Sequence, residues 1–471
     1  MIIWQKEMMK NKGEVIMNKF DENDYLKMKK NEIKIFRSKD HGKEVDKIMK
    51  KEFSKIRNFP YNSYEEIQKY QLKRISEIVD YAYENIPLYH KKYSSIGYKK
   101  GMIKTWEDFR KLPILYKDEL IEGFPNEIVK NVEDFNLSTR SSGSSGKFVT
   151  LALSLQAIYI DTIQGVRQFV LQSGNNYNPE DVILFIYTLP WWIRNINGKY
   201  KQDFLPTTSS VEDVIKKLME IRPKFISTYP TYLEKMASYG VNLKEYGVEL
   251  VIVHSEQSTR QYRDSLEKEL NVKILDEYSS EELTRIALEC PNHTYHLEED
   301  ACYIEIVDPK TKKNKKYGER GIVVGTNLLN TATPIIRYYQ GDLAEIDKPV
   351  KCKCGNNCRV LKNINGRYMD SIITEDGDII PASAFMDIAY NWFSSLAIPI
   401  HGLRYQFIQR TKNTLELYLI KGKYEIDIQK IIDSVYMLIP KKMNLEIKVV
   451  EELPEVGQKY RPVISFVKEG K

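Results

Sequence analysis

The first residues of the chain show little pattern, and helical spacing of apolar residues begins after them. Residues 1–62 are charged and only weakly periodic, so they are predicted to be a poorly defined N-terminal extension. Between Tyr64 and Tyr89 apolar side chains recur every three or four positions, which predicts a helix that Pro87 ends. Ser154 can cap another helix further along the chain.

Short apolar runs alternate with helical spacing over the middle of the chain. The runs are typical of buried strands, and they cover residues 182–187, 224–229, 249–255 and 272–278. Such alternation predicts a parallel sheet with helices on both faces. Ligands of these sheets gather at the carboxyl ends of the strands. Residues 254–256 (HSE) and 276–282 (DEYSSEE) are therefore the first candidates for a site.

The pattern changes twice more toward the C-terminus. From about Cys302 it becomes typical of β structure, with the runs YIEIV and GIVVGT. The last hundred or so residues combine strand-like alternation with one helical stretch, and the break falls near residues 365–371 (NGRYMDS). The predicted fold class is α/β: a large N-terminal domain with parallel-rich sheets covered by helices and a β-rich subdomain, then a small α+β C-terminal domain.

Composition excludes several classes of protein. The chain has 471 residues, of which 42% are hydrophobic and 29% charged, and this is typical of globular domains. Its net charge of +6 gives little support for a nucleic-acid partner. The most apolar run, residues 182–193, contains Pro190 and is shorter than the roughly 20 residues of a transmembrane helix. Five cysteines make no disulfide framework in a chain of this length, which favours a cytoplasmic location.

A Ser/Gly stretch is the first candidate for chemistry. Its residues are Ser142, Gly143, Ser144, Ser145, Gly146 and Lys147. Backbone N–H groups of such a turn can converge on an anion because no Cβ blocks the approach, and the lysine adds positive charge. The stretch is not a Walker A loop, since only two residues separate its glycines and Phe148 follows the lysine. On composition alone, a solvated loop is an equal alternative.

Five motifs in the right order resemble those of the adenylate-forming superfamily, which includes acyl-CoA synthetases, peptide-synthetase adenylation domains and luciferases. The motifs are SGSSGK at 142–147, YSSEE at 278–282, PIIRYYQGD at 334–342, GR at 366–367 and PEVGQKYR at 454–461. Within the superfamily, LPILYKDEL, TYPTYL and the ALEC to CKCG arrangement look like the phenylacetate–CoA ligase branch, which also holds capsule-biosynthesis relatives. The resemblance covers roughly residues 65–467.

The resemblance implies a two-step reaction. A small carboxylic acid attacks the α-phosphate of ATP to give an acyl-adenylate and pyrophosphate, and a thiol such as that of CoA then takes the acyl group. Transfer of AMP or an activated group to a non-CoA acceptor, such as a saccharide intermediate, is an alternative, and a non-catalytic nucleotide-binding homologue is another. The oligomeric state is left open, with a dimer among the options.

For the nucleotide, the resemblance implies one group of residues. The loop 142–147 would hold the β- and γ-phosphates, and Tyr278 would lie against adenine. Three residues would line the same site, and they are Glu256, Glu277 and Ser279. Asp342 would accept hydrogen bonds from the ribose hydroxyls, with support from Arg367.

Two residues are implied in catalysis. Glu282 would hold Mg²⁺, which prefers carboxylate and phosphate oxygens. Lys459 would neutralise charge that builds at the α-phosphate. Each role has an alternative: a solvated acidic pair with Glu281, an exposed lysine in a lysine-rich tail, or a plain ion pair for Arg367. The implied domains are 63–366, a hinge at 367–371, and a small mobile domain at 372–471 that carries Lys459.

The cysteines offer a second site. Cys290, His296, Cys352 and Cys354 have ligand types that suit tetrahedral zinc. Possible substitutes among these ligands are Cys302, Cys358 and His293. The same arrangement is a structural zinc site in some phenylacetate–CoA ligase relatives. Reduced, buried cysteines with surface histidines are the alternative.

Overall fold

A computed structural model describes residues 22–131, 137–141, 148–395, 398–454 and 460–467. The predicted phosphate loop, 142–147, and Lys459 lie outside these residues. Of the helices within the described ranges, none combines the length and apolar character that a membrane crossing requires.

The N-terminal region contains two helices, α1 (Glu22–Phe36) and α2 (His41–Asn58). The expectation of a poorly defined extension is therefore wrong for this part of residues 1–62. The many lysines and glutamates of these helices make their narrow apolar stripe difficult to recognise in the sequence. Val45 and Met49 belong to this stripe and are buried. These helices pack on the parallel part of the main sheet, in one core with side chains such as Ile183.

Four helices follow, and they cover one side of the β-rich half. They are α3 (Tyr64–Asn85), α4 (Pro87–Ser94), α5 (Trp106–Arg110) and α6 (Lys117–Gly123). Ser63 and Glu66 form a capping box that begins α3. Pro87 ends the helical stretch only in part, because it opens α4 at a position where its missing N–H costs nothing.

A short hairpin flanks the Ser/Gly stretch. It pairs β1 (Ser138–Arg140) with β2 (Thr150–Ala152) in antiparallel register. Helix α7 (Leu155–Gln172) follows, and the Ser154 hydroxyl accepts a hydrogen bond from the Ala157 N–H at 3.2 Å, as the cap prediction requires.

Eleven strands form the main sheet, in the order β10-β11-β12-β13-β9-β8-β7-β6-β5-β3-β4. The parallel strands are β3 (Val182–Tyr187), β4 (Lys201–Pro206), β5 (Phe225–Thr228), β6 (Leu250–Val253) and β7 (Lys273–Ser280). Helices α8 (Val211–Ile221), α9 (Pro230–Ser238) and α10 (Arg260–Leu270) connect them. These elements confirm the predicted parallel sheet.

The antiparallel strands complete the sheet. They are β8 (Thr284–Glu289), β9 (Tyr295–Leu297), β10 (Cys302–Val307), β11 (Gly321–Asn327), β12 (Tyr338–Asp347) and β13 (Val360–Lys362). Strand β7 belongs to both halves, because residues 273–276 pair parallel with β6 and residues 277–280 pair antiparallel with β8. The YSSEE motif therefore begins where the sheet changes direction.

The C-terminal region has its own small sheet. After a turn at Tyr368–Asp370 come β14 (Ile372–Ile373), β15 (Ile379–Ile380), α11 (Ala382–Ser395), β16 (Arg404–Thr411), β17 (Thr414–Ile420), α12 (Ile428–Tyr436), β18 (Asn444–Val449) and β19 (Val463–Ser465). The four-stranded order is β18-β17-β16-β19. The alternating Leu415, Leu417 and Leu419 are all fully buried, as the period of two predicts.

Candidate active site

A cavity of about 1030 Å³ opens at the carboxyl ends of the parallel strands. Tyr187, Tyr229 and His254, which end or directly follow β3, β5 and β6, form part of its wall. Residues on both sides of the Ser/Gly stretch, Arg140 and Phe148 among them, form another part. The volume is at the upper end of the range for ligand pockets.

Three side chains implied in nucleotide binding meet beside this cavity. The Tyr278 hydroxyl donates a hydrogen bond to Oδ2 of Asp342 at 2.6 Å. Oδ1 of the same carboxylate forms an ion pair with Nε of Arg367 at 3.1 Å. Arg367 also donates from Nη1 to the Gln340 carbonyl at 2.6 Å. We call these three residues the Asp342 cluster.

Charge and burial act together in the Asp342 cluster. Asp342 is buried and raises the pKa of Arg367, while burial and this carboxylate together raise the pKa of Tyr278. Gly366 positions the arginine, because its φ of +79° suits glycine and a Cβ there would lie 2.3 Å from Oε1 of Gln257. The glycine of the GR motif is thus required by the backbone.

The two adjacent glutamates of the YSSEE motif have different surroundings. Glu282 is buried and accepts a hydrogen bond from the Tyr338 hydroxyl at 3.1 Å. Glu281 is exposed and accepts from Thr139 of β1. Both line the cavity, so they are not a simple solvated pair.

The remaining predicted nucleotide residues divide into two kinds. Glu277 and Ser279 line the cavity, and Glu277 accepts from Nε2 of Gln168 at 2.6 Å. Burial alone raises the pKa of Glu277, but Arg285 and His254 outweigh it and the net pKa is lowered. Glu256 differs, because its carboxylate binds the backbone N–H and hydroxyl of Thr231 at the start of α9, at 3.1 and 2.8 Å.

The four predicted zinc ligands also meet. One ligand atom from each of Cys290, His296, Cys352 and Cys354 lies within 4.8 Å of all the others. The sulfur of Cys352 is 3.7 Å from that of Cys290 and 3.3 Å from that of Cys354, and Nε2 of His296 is 3.2 Å from the Cys354 sulfur. We call these four residues the Cys/His cluster.

Backbone turns position the ligands of the Cys/His cluster, and a lowered thiol pKa favours metal binding. Two short loops present the ligands, one closed by His293 N–H to Cys290 carbonyl at 2.8 Å and one by Gly355 N–H to Cys352 carbonyl at 3.1 Å. The hydrogen bond with Cys354 lowers the pKa of the Cys290 thiol to about 3, which favours a thiolate.

The proposed substitutes lie elsewhere. Cys302 is buried in the apolar core of the antiparallel half, and Cys358 packs with Phe59. The His293 ring contacts Glu289 at 3.0 Å instead. As substitutes for the four ligands, these three residues are excluded.

Comparison with known proteins gives relatives that match most of the chain. No family model matches the chain. A phenylacetate–coenzyme A ligase from Aromatoleum evansii is 26% identical over 341 residues, which is 68% of this chain and 74% of that protein. The protein CapK from Staphylococcus aureus is 22% identical over 84% of this chain and 89% of its own length. A crystal structure of a 2-hydroxyisobutyryl-CoA ligase in its postadenylation state has the same fold, with a TM-score of 0.71, 18% identity, and coverage of 86% of this chain and 90% of that one.

These similarities confirm the predicted resemblance to the phenylacetate–CoA ligase-like branch of the adenylate-forming superfamily. Its class is that of the AMP-forming acid–thiol ligases.

Sequence reasoning missed two groups of residues in this ligase-like protein. Arg285 lies in the cavity wall, where it pairs with Asp161 and donates from Nε to Gln168 at 2.7 Å. Gly165 leaves room for it, since a Cβ there would lie 2.9 Å from Nη2. No local motif marks these residues, because α7 and β8 bring them together only in the fold.

The second missed pair joins the predicted hinge to the C-terminal motif. Arg461 forms an ion pair with the buried Asp370, and both line the cavity. Arg461 is the last residue of the PEVGQKYR motif, so the motif itself was the signal that could have found it.

Proposed function

We propose that the protein uses ATP to activate a small carboxylic acid as an acyl-adenylate and then transfers the acyl group to the thiol of CoA. The observation that carries this proposal is the Asp342 cluster, which adjoins a cavity whose wall also holds Glu282. The similarity to phenylacetate–coenzyme A ligases supports the same reaction class.

At the nucleotide end, Asp342 would bind the ribose. Its carboxylate can accept from both ribose hydroxyls once Tyr278 turns toward adenine, and Arg367 holds the carboxylate in place. The positions of Arg140 and Phe148 in the cavity wall support phosphate binding by the loop between them. Glu277 and Ser279 would complete the nucleotide wall, while Glu256 acts through the start of α9.

The surroundings of Glu282 suit its proposed role as a ligand of Mg²⁺. Carboxylate oxygen is the hard donor that this ion prefers, and a buried carboxylate with one oxygen held by Tyr338 is already oriented. Bound Mg²⁺ would neutralise phosphate charge during adenylation. Glu281 would stay with Thr139 of the hairpin.

The C-terminal domain would supply the second catalytic residue. Arg461 lines the cavity two positions after Lys459, which supports a role for that lysine at the α-phosphate. We propose residues 367–371 as the hinge of this domain, with the Asp370–Arg461 ion pair holding one orientation. Rotation about the hinge would then open the site to the thiol.

Zinc fits the Cys/His cluster. A tetrahedral site with Zn–S bonds of about 2.3 Å separates sulfurs by about 3.8 Å, close to the Cys290–Cys352 distance of 3.7 Å. Three sulfurs and one imidazole leave no open position, so the proposed zinc is structural. None of the five cysteines forms a disulfide, which also supports the proposal of a cytoplasmic location.

Transfer of an activated group to a non-thiol acceptor in capsule or cell-surface polysaccharide biosynthesis is the second candidate. The motif resemblance motivates it, because the phenylacetate–CoA ligase branch also holds capsule-biosynthesis relatives, and the match to CapK spans 84% of this chain. The two candidates share adenylation and differ in the acceptor, so thiol dependence separates them.

ATP–pyrophosphate exchange over a panel of carboxylic acids tests the proposal. Exchange that requires an acid, followed by release of AMP when CoA is added, is the expected result. Exchange without any acid, or none with every acid on the panel, would contradict adenylation of a carboxylate. An AMP release that depends on a sugar acceptor and not on CoA would favour the second candidate.

A further inference from the structure

The cavity continues below the rim formed by the strand ends. Ile183 in β3 pairs with Gln202 in β4 and with Phe225 in β5, so these three side chains share one face of the sheet. Ile183 and Gln202 line the cavity. Ile183 lies four positions before Tyr187 at the rim, which is about 13 Å along an extended strand. We call this lower part the deep pocket.

Aromatic rings form part of the wall of the deep pocket. The ring of Tyr177 lies 5.2 Å from Phe225 and 5.6 Å from Phe169, which comes from α7. Tyr177 and Phe169 both line the cavity. These walls favour an aryl or aliphatic body of a substrate.

Two polar atoms in the deep pocket lack partners. Within the described residues, neither the Tyr177 hydroxyl nor Oε1 of Gln202 has a hydrogen-bond partner, although both atoms are buried. Tyr177 is only 6% exposed, and burial raises the pKa of its hydroxyl, which therefore stays a donor. A buried polar group without a partner is costly, so both atoms call for a ligand or a water.

Charge limits what the ligand can be. Three charged groups of the cavity wall already have partners, since Arg285 pairs with Asp161 and its charge also lowers the pKa of Glu277. A second charged group on the substrate would find no counter-ion in the deep pocket. A hydroxyl suits both atoms, because it accepts from Tyr177 and donates to Gln202.

We propose that the carboxylic acid substrate carries a neutral hydroxyl at the end opposite its carboxylate, bound in the deep pocket by Tyr177 and Gln202. This inference rests on the proposed function. It makes the substrate class a hydroxylated aryl or long-chain acid rather than an unsubstituted one.

The test uses pairs of acids that differ only in the distal group. Suitable pairs are para-hydroxy- and para-methylcinnamate, and ω-hydroxydecanoate and undecanoate. ATP–pyrophosphate exchange should favour the hydroxy acid of at least one pair by about 10- to 100-fold in kcat/KM, because the methyl acid leaves both polar atoms unpaired. Tyr177→Phe should reduce that preference to within about threefold and leave the KM for ATP unchanged.

Tyr200→Phe is the matched control. Its ring lies 5.3 Å from Tyr177 but does not line the cavity, so this variant should keep the preference. Calorimetric binding of the same acids does not depend on turnover, and it decides the inference even if no acid supports exchange. Equal binding of hydroxy and methyl acids, or a preference that survives Tyr177→Phe, would mean that a water fills the deep pocket and would overturn the inference.

Discussion

The Asp342 cluster takes its carboxylate from strand β12 and the Cys/His cluster takes two ligands from the loop after that strand, yet the two clusters have different surroundings. Asp342 lies in the first half of this strand, while Cys352 follows its end by a short loop. The four ligands of the Cys/His cluster face one another, whereas the Asp342 cluster adjoins a cavity. A closed set of donors can only hold the fold together, and polar groups beside a cavity are available to substrates.

Loss of the Cys/His cluster should have the largest effect, a loss of both bound zinc and stability. Cys352→Ser with Cys354→Ser removes two of four ligands, so bound zinc should fall from about one per chain to none. The free energy of unfolding should decrease by more than about 3 kcal/mol. Elemental analysis and denaturant unfolding measure these changes.

Cys358→Ala is the control for this pair, because its thiol is buried away from the cluster. It should keep the zinc and lose no more than about 1–2 kcal/mol. A wild-type protein that contains no zinc, or a double variant with an unchanged free energy of unfolding, would contradict the structural role of zinc at the Cys/His cluster.

Removal of the Glu282 charge beside the cavity should have the next largest effect, a loss of activity. Glu282→Gln keeps the shape and can still accept from Tyr338, but it lacks the charge for Mg²⁺. Acid-dependent exchange should fall about 10²- to 10³-fold and need a higher Mg²⁺ concentration. Glu281→Gln is the neighbouring control and should have a much smaller effect, since this carboxylate contacts Thr139. Equal losses in the two variants would contradict the assignment.

Within the Asp342 cluster, Asp342→Asn tests ribose binding. The variant loses the ion pair with Arg367 and one acceptor for the ribose hydroxyls, so the KM for ATP should rise about 10- to 100-fold. Zinc content should not change, because the two clusters are separate. Nucleotide titration that gives the wild-type affinity would contradict the ribose role.

The smallest effect should come from outside both clusters. Glu32 of α1 accepts from the Ser138 N–H at 2.8 Å, and so holds the hairpin beside the Ser/Gly stretch. Glu32→Ala should raise the KM for ATP only a few-fold, with unfolding changed by about 1 kcal/mol. ATP–pyrophosphate exchange kinetics measure the KM for ATP, and Lys43→Ala is the surface control, which should leave it unchanged. A wild-type KM for ATP in Glu32→Ala would mean that α1 contributes only to packing.

The buried parallel strands were the most predictable part of the fold. A continuous apolar run predicted β3 residue for residue, since a strand covered on both faces needs apolar side chains throughout. Strand β4 (KQDFLP) was missed because it is an edge strand with polar residues. Helices α1 and α2 were missed because charged residues dilute their apolar spacing.

For the site, motifs identified positions but not side-chain directions. Tyr278, Asp342 and Arg367 do meet, although nothing in their spacing along the chain requires it. Glu256 follows a strand end as expected, yet Thr231 at the start of α9 takes its carboxylate. Arg285 and Tyr177 carry no motif, and only the packing of α7 on the sheet brings them to the cavity.

Oxygen transfer from the acid to AMP tests the central claim most directly. If a carboxylate oxygen attacks the α-phosphate, an acid labelled with oxygen-18 in its carboxylate should leave one labelled oxygen in the AMP that is released when CoA takes the acyl group. Mass spectrometry of the AMP measures this. Unlabelled AMP formed at the full turnover rate, or AMP recovered on a sugar acceptor, would contradict formation of an acyl-adenylate.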